Sequence, residues 1–313
     1  MDNGLMIQTA GLTKNFGSFT AVDSVNLEVK RGSIHGFVGP NGAGKTTTMK
    51  MLIGALRCTR GDGWIGGHEI GSASARALIG YAPEHPVLYD NMTSFDYLVY
   101  LARVCGVAKG DAKKKADDLL ESLDLGPFKD RKGGKFSAGM KQRLCLAQAL
   151  IHEPELLILD EPTANMDPTG RLSILDKLRQ LSHDRNTTIL LSSHILGELE
   201  QIVDSLTMIN HGHIVVQGST AELRKQFAEN HYLLKTSRNE AVLEVLRSRE
   251  CFQEGWIDAD NFVHLVAEDG AVLRREITQA VAQCNAELEH ISEERASLES
   301  IYRKTMGMEE ESE

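Results

Sequence analysis

The apolar positions of the chain follow one pattern up to about residue 218 and another beyond it. In the first part, uninterrupted apolar runs at 33–38, 156–159, 187–191 and 205–209 alternate with stretches whose apolar residues recur at helical spacing. Such runs fit strands buried on both faces, and strands separated by helices pair in parallel, so this part predicts an α/β layer. From about 93 to 150 the spacing is helical throughout, which predicts a helical insert in that layer. A turn signal, Gln217-Gly218-Ser219-Thr220, ends the first part, with Ser219 or Thr220 placed to cap a helix that starts at Ala221. The order then becomes β-α-β-β-α-β. It runs through a strand at 232–236, a helix at 240–249, a hairpin of 255–257 with 262–266, a helix at 271–284 and a strand at 287–291. That order predicts a small split-βαβ, α+β appendage. A last helix at 298–305 and an acidic tail at 309–313 follow. The chain therefore reads as two domains, 1–218 and 219–313.

Composition narrows the classes. Of 313 residues, 42% are hydrophobic and 25% charged, enough apolar material for a sizeable core and too much for a largely disordered chain. No apolar run approaches the ~18 residues a membrane-spanning helix needs, and Met1-Asp2-Asn3-Gly4 carries neither a basic patch nor an apolar leader. Five cysteines (Cys58, Cys105, Cys145, Cys251, Cys284) without metal-ligand spacing fit thiols in a reducing compartment. A cytoplasmic chain is the expectation. The net charge of −10 divides as −1 over 1–218 and −9 over 219–313, so neither part offers the basic field on which nucleic-acid binding depends. The one basic run, Lys113-Lys114-Lys115, is followed by Asp117, Asp118 and Glu121, which predicts a helix face neutralised by i,i+3 and i,i+4 pairs.

Chemistry enters at Gly39-Pro40-Asn41-Gly42-Ala43-Gly44-Lys45-Thr46. This segment fits G-x-x-x-x-G-K-[ST] and lies between the apolar strand ending at Val38 and a helical run that begins with Thr47. Small residues let backbone N–H groups approach phosphates, and the helix start adds partial positive charge. Lys45 is placed to reach the β- and γ-phosphates and Thr46 to offer its hydroxyl to Mg²⁺. Downstream, the run 156–159 ends in adjacent acids, Asp160 and Glu161. Neighbours on a strand face opposite sides, so that Asp160 supports the metal through its water while Glu161 acts as general base on a water in line with the γ-phosphate. His194, just past the strand at 187–191, is a further candidate contact to the γ-phosphate. Between these elements, Phe136-Ser137-Ala138-Gly139-Met140 opens an amphipathic helix that Ser137 can cap, giving a second anion site. One chain carrying both sites could clamp nucleotide between two copies of itself.

Taken together, these segments resemble the nucleotide-binding subunit of an ABC transporter over residues 5 to about 218. Phe16 resembles the aromatic that stacks on adenine, residues 39–47 Walker A, 156–161 Walker B with its catalytic glutamate, 136–140 the signature, 164–167 the D-loop, and His194 the switch histidine. The resemblance implies an α/β P-loop NTPase core with an N-terminal β-subdomain, and an ATP- and Mg²⁺-dependent ATPase. It also implies a homodimer or a heterodimer in which Ser137 and Gly139 meet the partner's γ-phosphate. A separate membrane permease would be gripped by the helical insert and the segment from Glu84 to about Phe95, with this chain peripheral on the inner face of the membrane. The signature departs from the family pattern at Ala138 and Met140, and Glu84 stands where a glutamine is usual, within reach of the metal but without amide donors. Pro83-Glu84 and the C-terminal extension resemble subunits of multidrug or antibiotic exporters. The alternative is a soluble ABC ATPase acting on ribosomes or DNA. A P-loop kinase or GTPase would have no reason to carry residues 136–140 and His194.

Overall fold

A computed structural model describes residues 4–306 apart from positions 90, 165, 194, 228, 229, 259, 268, 295 and 296. The chain divides into two compact units between Thr220 and Ala221. The first unit begins with β1 (Leu5–Phe16), β2 (Phe19–Val25), β3 (Glu28–Lys30), β4 (Ile34–Val38), α1 (Lys45–Leu52), β5 (Arg60–Ile65), β6 (His68–Glu69), α2 (Ala73–Ala77) and β7 (Ile79–Ala82). It continues with α3 (Ser94–Val104), α4 (Lys109–Ser122), α5 (Ala138–Leu150), β8 (Leu156–Leu159), α6 (Pro168–Arg185), β9 (Thr188–Ser193), α7 (Leu196–Leu199), β10 (Ser205–Asn210) and β11 (His213–Ser219). After α8 (Thr220–Gln226) come β12 (Asn230–Thr236), α9 (Asn239–Arg247), β13 (Phe252–Ile257), β14 (Val263–Ala267), α10 (Gly270–Gln283), β15 (Leu288–Glu294) and α11 (Leu298–Met306).

Two sheets form the first unit. One runs β2-β1-β5-β6, with β3 also on β1, and its pairs are antiparallel. The other runs β11-β10-β4-β9-β8-β7 and is parallel except for β11. Its central strands β4, β8 and β9 are buried at every position, as a sheet covered on both faces requires. Met49, Met51 and Leu52 of α1 join Ile7 and Leu12 of β1 to Phe37 and Ile158 of the parallel sheet in one core. That packing fixes the start of α1 at the carboxyl ends of the parallel strands, where ligands of open α/β sheets bind.

The insert consists of α3, α4 and α5 with two 3₁₀ turns between them. Its basic run is neutralised differently from the sequence expectation. Lys115 pairs with Glu153 at 2.6 Å, and Asp117 pairs with Lys129 at 2.8 Å. These are tertiary contacts rather than pairs within the helix, because α4 lies against neighbours that carry opposite charge.

The second unit is an antiparallel sheet, β13-β14-β12-β15. Val242, Leu243 and Leu246 of α9 and Leu273, Ile277 and Ala280 of α10 cover one face through Leu234, Val263 and Leu265. On the alternate positions, Trp256 stacks on His264 with ring centroids 4.7 Å apart and planes 4° from parallel.

Candidate nucleotide site

The loop from β4 to α1 depends on two glycines. A Cβ on Gly39 would lie 2.2 Å from the Ile209 carbonyl oxygen. One on Gly44, which has φ +109°, would lie 2.7 Å from the Ala21 oxygen. Neither position admits a side chain without moving backbone, so the loop stays close to β10 and β2. Gly44 is the N-cap of α1 and no side chain caps that helix, so the N–H groups of its first turn point to the loop side. Lys45 folds back over the loop, where its Nζ donates to the Gly39 oxygen at 2.7 Å and the Pro40 oxygen at 3.2 Å. Burial lowers its pKa, and the charges of Glu161, Asp160 and Glu84 act in the opposite direction. The ammonium therefore stands among three carboxylates and is the natural counter-charge for an anion entering the loop.

A cleft of 590 Å³ opens over this loop. Asn41, Gly42, Ala43, Gly44, Lys45, Thr46 and Thr47 line its floor, Glu84, Asp160 and Glu161 one wall, and Phe16 its mouth. The structure thus brings together most residues singled out in the sequence. Gly39 and Pro40 contribute through the carbonyls that hold Lys45. Ser137 and Gly139 are not among the lining residues. Ser137 is exposed at the start of α5, where its hydroxyl accepts from the Met140 N–H at 3.3 Å. His194 lies outside the described residues.

The two acids share the cleft for a reason the strand pattern did not give. β8 ends at Leu159, and Glu161 adopts φ +49°, in the left-handed region. A tight reversal after the strand, rather than pleat alternation, brings both carboxylates to one side. This conformation costs about 1–2 kcal/mol for a side chain with a Cβ and persists only where the surroundings impose it. Here they do. The Glu161 N–H donates to Ser192 Oγ at 2.9 Å, and its carbonyl accepts from the Ala164 N–H at 3.1 Å and from Gln142 Nε2 at 3.4 Å. Asp160 is 1% exposed and accepts from Ser192 Oγ at 2.8 Å. Beside them, burial and the charge of Asp160 raise the Tyr81 phenol to about 12, so it stays protonated.

Three groups escaped sequence reasoning. Phe19 pairs with Phe16 across the Gly17-Ser18 turn, and both rings are half or more exposed at the cleft mouth. Lys14 Nζ sits 5.1 Å from the Phe16 ring centroid. Ser192 stands one position beyond the last β8–β9 pair, Leu159 with Leu191, and so directly opposite Asp160. An aromatic repeated across a two-residue turn, and a serine ending an apolar run, were the available signals.

The ABC transporter family profile matches residues 22–164. The chain is 41% identical over 240 residues to the bacitracin transport ATP-binding protein BcrA of Bacillus licheniformis, covering 76% of this chain and 78% of that protein. It is 33% identical over 311 residues to BcrA of Enterococcus faecalis, covering 96% of each. The chain belongs to the ABC transporter family. A solved ATP-binding subunit of an ABC transporter shares its fold at a TM-score of 0.66 and 30% identity, covering 71% of this chain and 93% of that one. The chain is thus an ABC ATPase subunit. Relatives that are transporter subunits set aside the soluble alternative on ribosomes or DNA. Among the described residues, no helix is long and apolar enough to cross a membrane.

Proposed function

We propose that this ABC subunit powers an antibiotic exporter by hydrolysing ATP in a cleft that a second ATPase subunit completes. Adenine stacks on Phe16, and the triphosphate runs along residues 39–47, with Lys45 on the β- and γ-phosphates. The hydroxyl of Thr46 and the carboxylate of Asp160, with Glu84 beside them, are hard oxygen donors of the type Mg²⁺ takes. No group of three or more Asp, Glu, His or Cys side chains capable of holding a metal occurs among the described residues. When bound, Mg²⁺ neutralises charge on the phosphate oxygens.

Glu161 is the general base. It removes the proton from the attacking water, and its fixed backbone holds the carboxylate in one place as it does so. His194 contacts the γ-phosphate. Ser137 and Gly139, at the exposed start of α5 and apart from their own chain's cleft, meet the γ-phosphate bound to the partner subunit. ATP then joins the two subunits, and loss of the γ-phosphate releases them. The observation that carries this reading is the placement of both acids over the phosphate loop, with Glu161 locked in a strained conformation.

The helical insert and the segment after Glu84 grip a separate permease, which holds this chain at the inner face of the membrane. The permease cavity selects the cargo, an antibiotic of the kind the bacitracin transport relatives handle. Affinity capture of tagged Glu161→Gln protein with ATP from detergent-solubilised membranes tests the assignment. Co-purification of a polytopic membrane protein is expected. Recovery of soluble ribosomal or DNA-associated proteins alone would overturn it.

A further inference from the structure

The strongest unabsorbed feature of the cleft is a hydroxyl that touches both acids. Ser192 is buried and follows the apolar run of β9 at the depth where that run turns polar. The parallel register sets Leu159 against Leu191, so the next positions, Asp160 and Ser192, face each other. One oxygen then makes two bonds. It donates its hydrogen to Asp160 Oδ1 at 2.8 Å and accepts the Glu161 N–H at 2.9 Å. A hydroxyl has one hydrogen and two lone pairs, so donating to the carboxylate leaves the oxygen free to accept the amide. An alanine could do neither.

We infer that Ser192 is a positioning residue that holds the metal-side carboxylate and the general base at a fixed separation. It fixes the rotation of Asp160 through the carboxylate and sets the left-handed turn of Glu161 through the amide. The bond to Asp160 carries charge and is the stronger of the two. The bond to the Glu161 amide opposes the strain of φ +49°. Without the hydroxyl, the Glu161 N–H loses the bond that opposes the left-handed turn, and the backbone relaxes toward ordinary dihedral space, carrying the carboxylate off the line of attack. Lys45, the glycine loop and the aromatic mouth are untouched, so nucleotide affinity is not the quantity that changes. This inference rests on Asp160 and Glu161 having the roles proposed above.

The test compares full-length wild type, Ser192→Ala, Ser192→Thr and Glu161→Gln. ATPase kinetics, thermal melting, and Mn²⁺ binding by electron paramagnetic resonance with a non-hydrolysable ATP analogue are measured for each. In Ser192→Ala, kcat should fall roughly tenfold, the loss of one charge-assisted bond. KM for ATP should stay within about twofold, and Mn²⁺ affinity should weaken severalfold, since Asp160 loses its anchor. Ser192→Thr keeps the hydroxyl and should recover most of kcat and the Mn²⁺ affinity. A folded Ser192→Ala with wild-type kcat beside an inactive Glu161→Gln would overturn the role of Ser192 alone. So would Ser192→Ala and Ser192→Thr proteins that lose turnover equally while melting like wild type. Wild-type turnover in Glu161→Gln would instead remove the general base, and this inference with it.

Discussion

The two units of the chain place their polar groups by opposite rules. In the first, β4, β8 and β9 are buried throughout and, apart from His35 in β4, which Ser205 and Thr207 satisfy, the polar groups stand where the strands end: the phosphate loop after Val38, Asp160 and Glu161 after Leu159, Ser192 at the end of β9. In the second, β14 alternates buried and half-buried positions, and its polar groups satisfy one another, His264 with Asp258 at 3.0 Å and against Trp256. A sheet covered on both faces has nowhere to put chemistry except its ends, so functional groups from distant parts of the sequence converge there. A sheet with one face left for polar residues spreads them in local pairs.

The sharpest way to break this contrast is at Lys45, where convergence is greatest. Lys45→Ala removes the cation facing three carboxylates, and ATP affinity should fall by roughly ten- to a hundredfold, the scale of one charge-assisted contact to phosphate. Titration of a fluorescent ATP analogue reads it directly. If affinity survives, the loop amides bind phosphate without Lys45, and the electrostatic account of the floor is wrong.

Acid should separate the units. His35 lies fully buried in β4 between Ser205 Oγ at 2.7 Å and Thr207 Oγ1 at 2.8 Å, and burial lowers its pKa to about 3. Its folded value lies below the ordinary 6.5, so its stabilising contribution is complete above that pH and is lost as pH falls toward the folded value. The first unit should therefore lose about 2 kcal/mol at about pH 5. Asp258, held below its ordinary 3.8 by the Phe262 N–H and by His264, contributes above that value and loses its effect only at lower pH. One tryptophan falls in each unit, Trp64 in β5 and Trp256 in β13, so single-tryptophan variants can follow the two unfolding transitions by fluorescence. First-unit stability that stays flat from neutral to about pH 5 would mean His35 is protonated without cost.

Smaller effects belong to the cleft mouth and to the second sheet. Phe16→Ala should raise KM for ATP roughly tenfold, the scale of one aromatic–base stack, with kcat unchanged. An unchanged KM would transfer the stacking role to Phe19. Trp256→Ala should leave both KM and kcat within about twofold in the same assay, because Trp256 stacks on His264 within the second unit's own sheet.

The sequence carried the order of elements in the second unit and, in the first, four strands of the parallel sheet and the helical insert; β1, β2, β3, β5 and β6 entered only through the family resemblance, and β7 and β11 were not read. It also carried the phosphate loop, whose glycines are forced by contacts with the Ile209 and Ala21 carbonyls. It did not carry the turn at Glu161. Pleat alternation would send two neighbouring acids apart, and only the backbone at φ +49°, held by Ser192 and Gln142 from distant segments, turns them together. Phe19 was hidden for a related reason, since its role depends on a cross-strand register rather than on spacing along one strand. The helix-face pairing expected for Lys115 failed because Glu153, remote in sequence, comes closer than its neighbours in α4.

Under the proposed function, Glu161 is the base whose action ends an ATP-joined pair of subunits. Size-exclusion chromatography with light scattering on Glu161→Gln, with and without Mg²⁺-ATP, and with turnover measured on the same sample, tests it most directly. A stable dimer that appears only with ATP is expected, with turnover reduced by about 10²–10⁴-fold, as for loss of a general base. A variant that hydrolyses ATP at the wild-type rate and stays monomeric in its presence would contradict it.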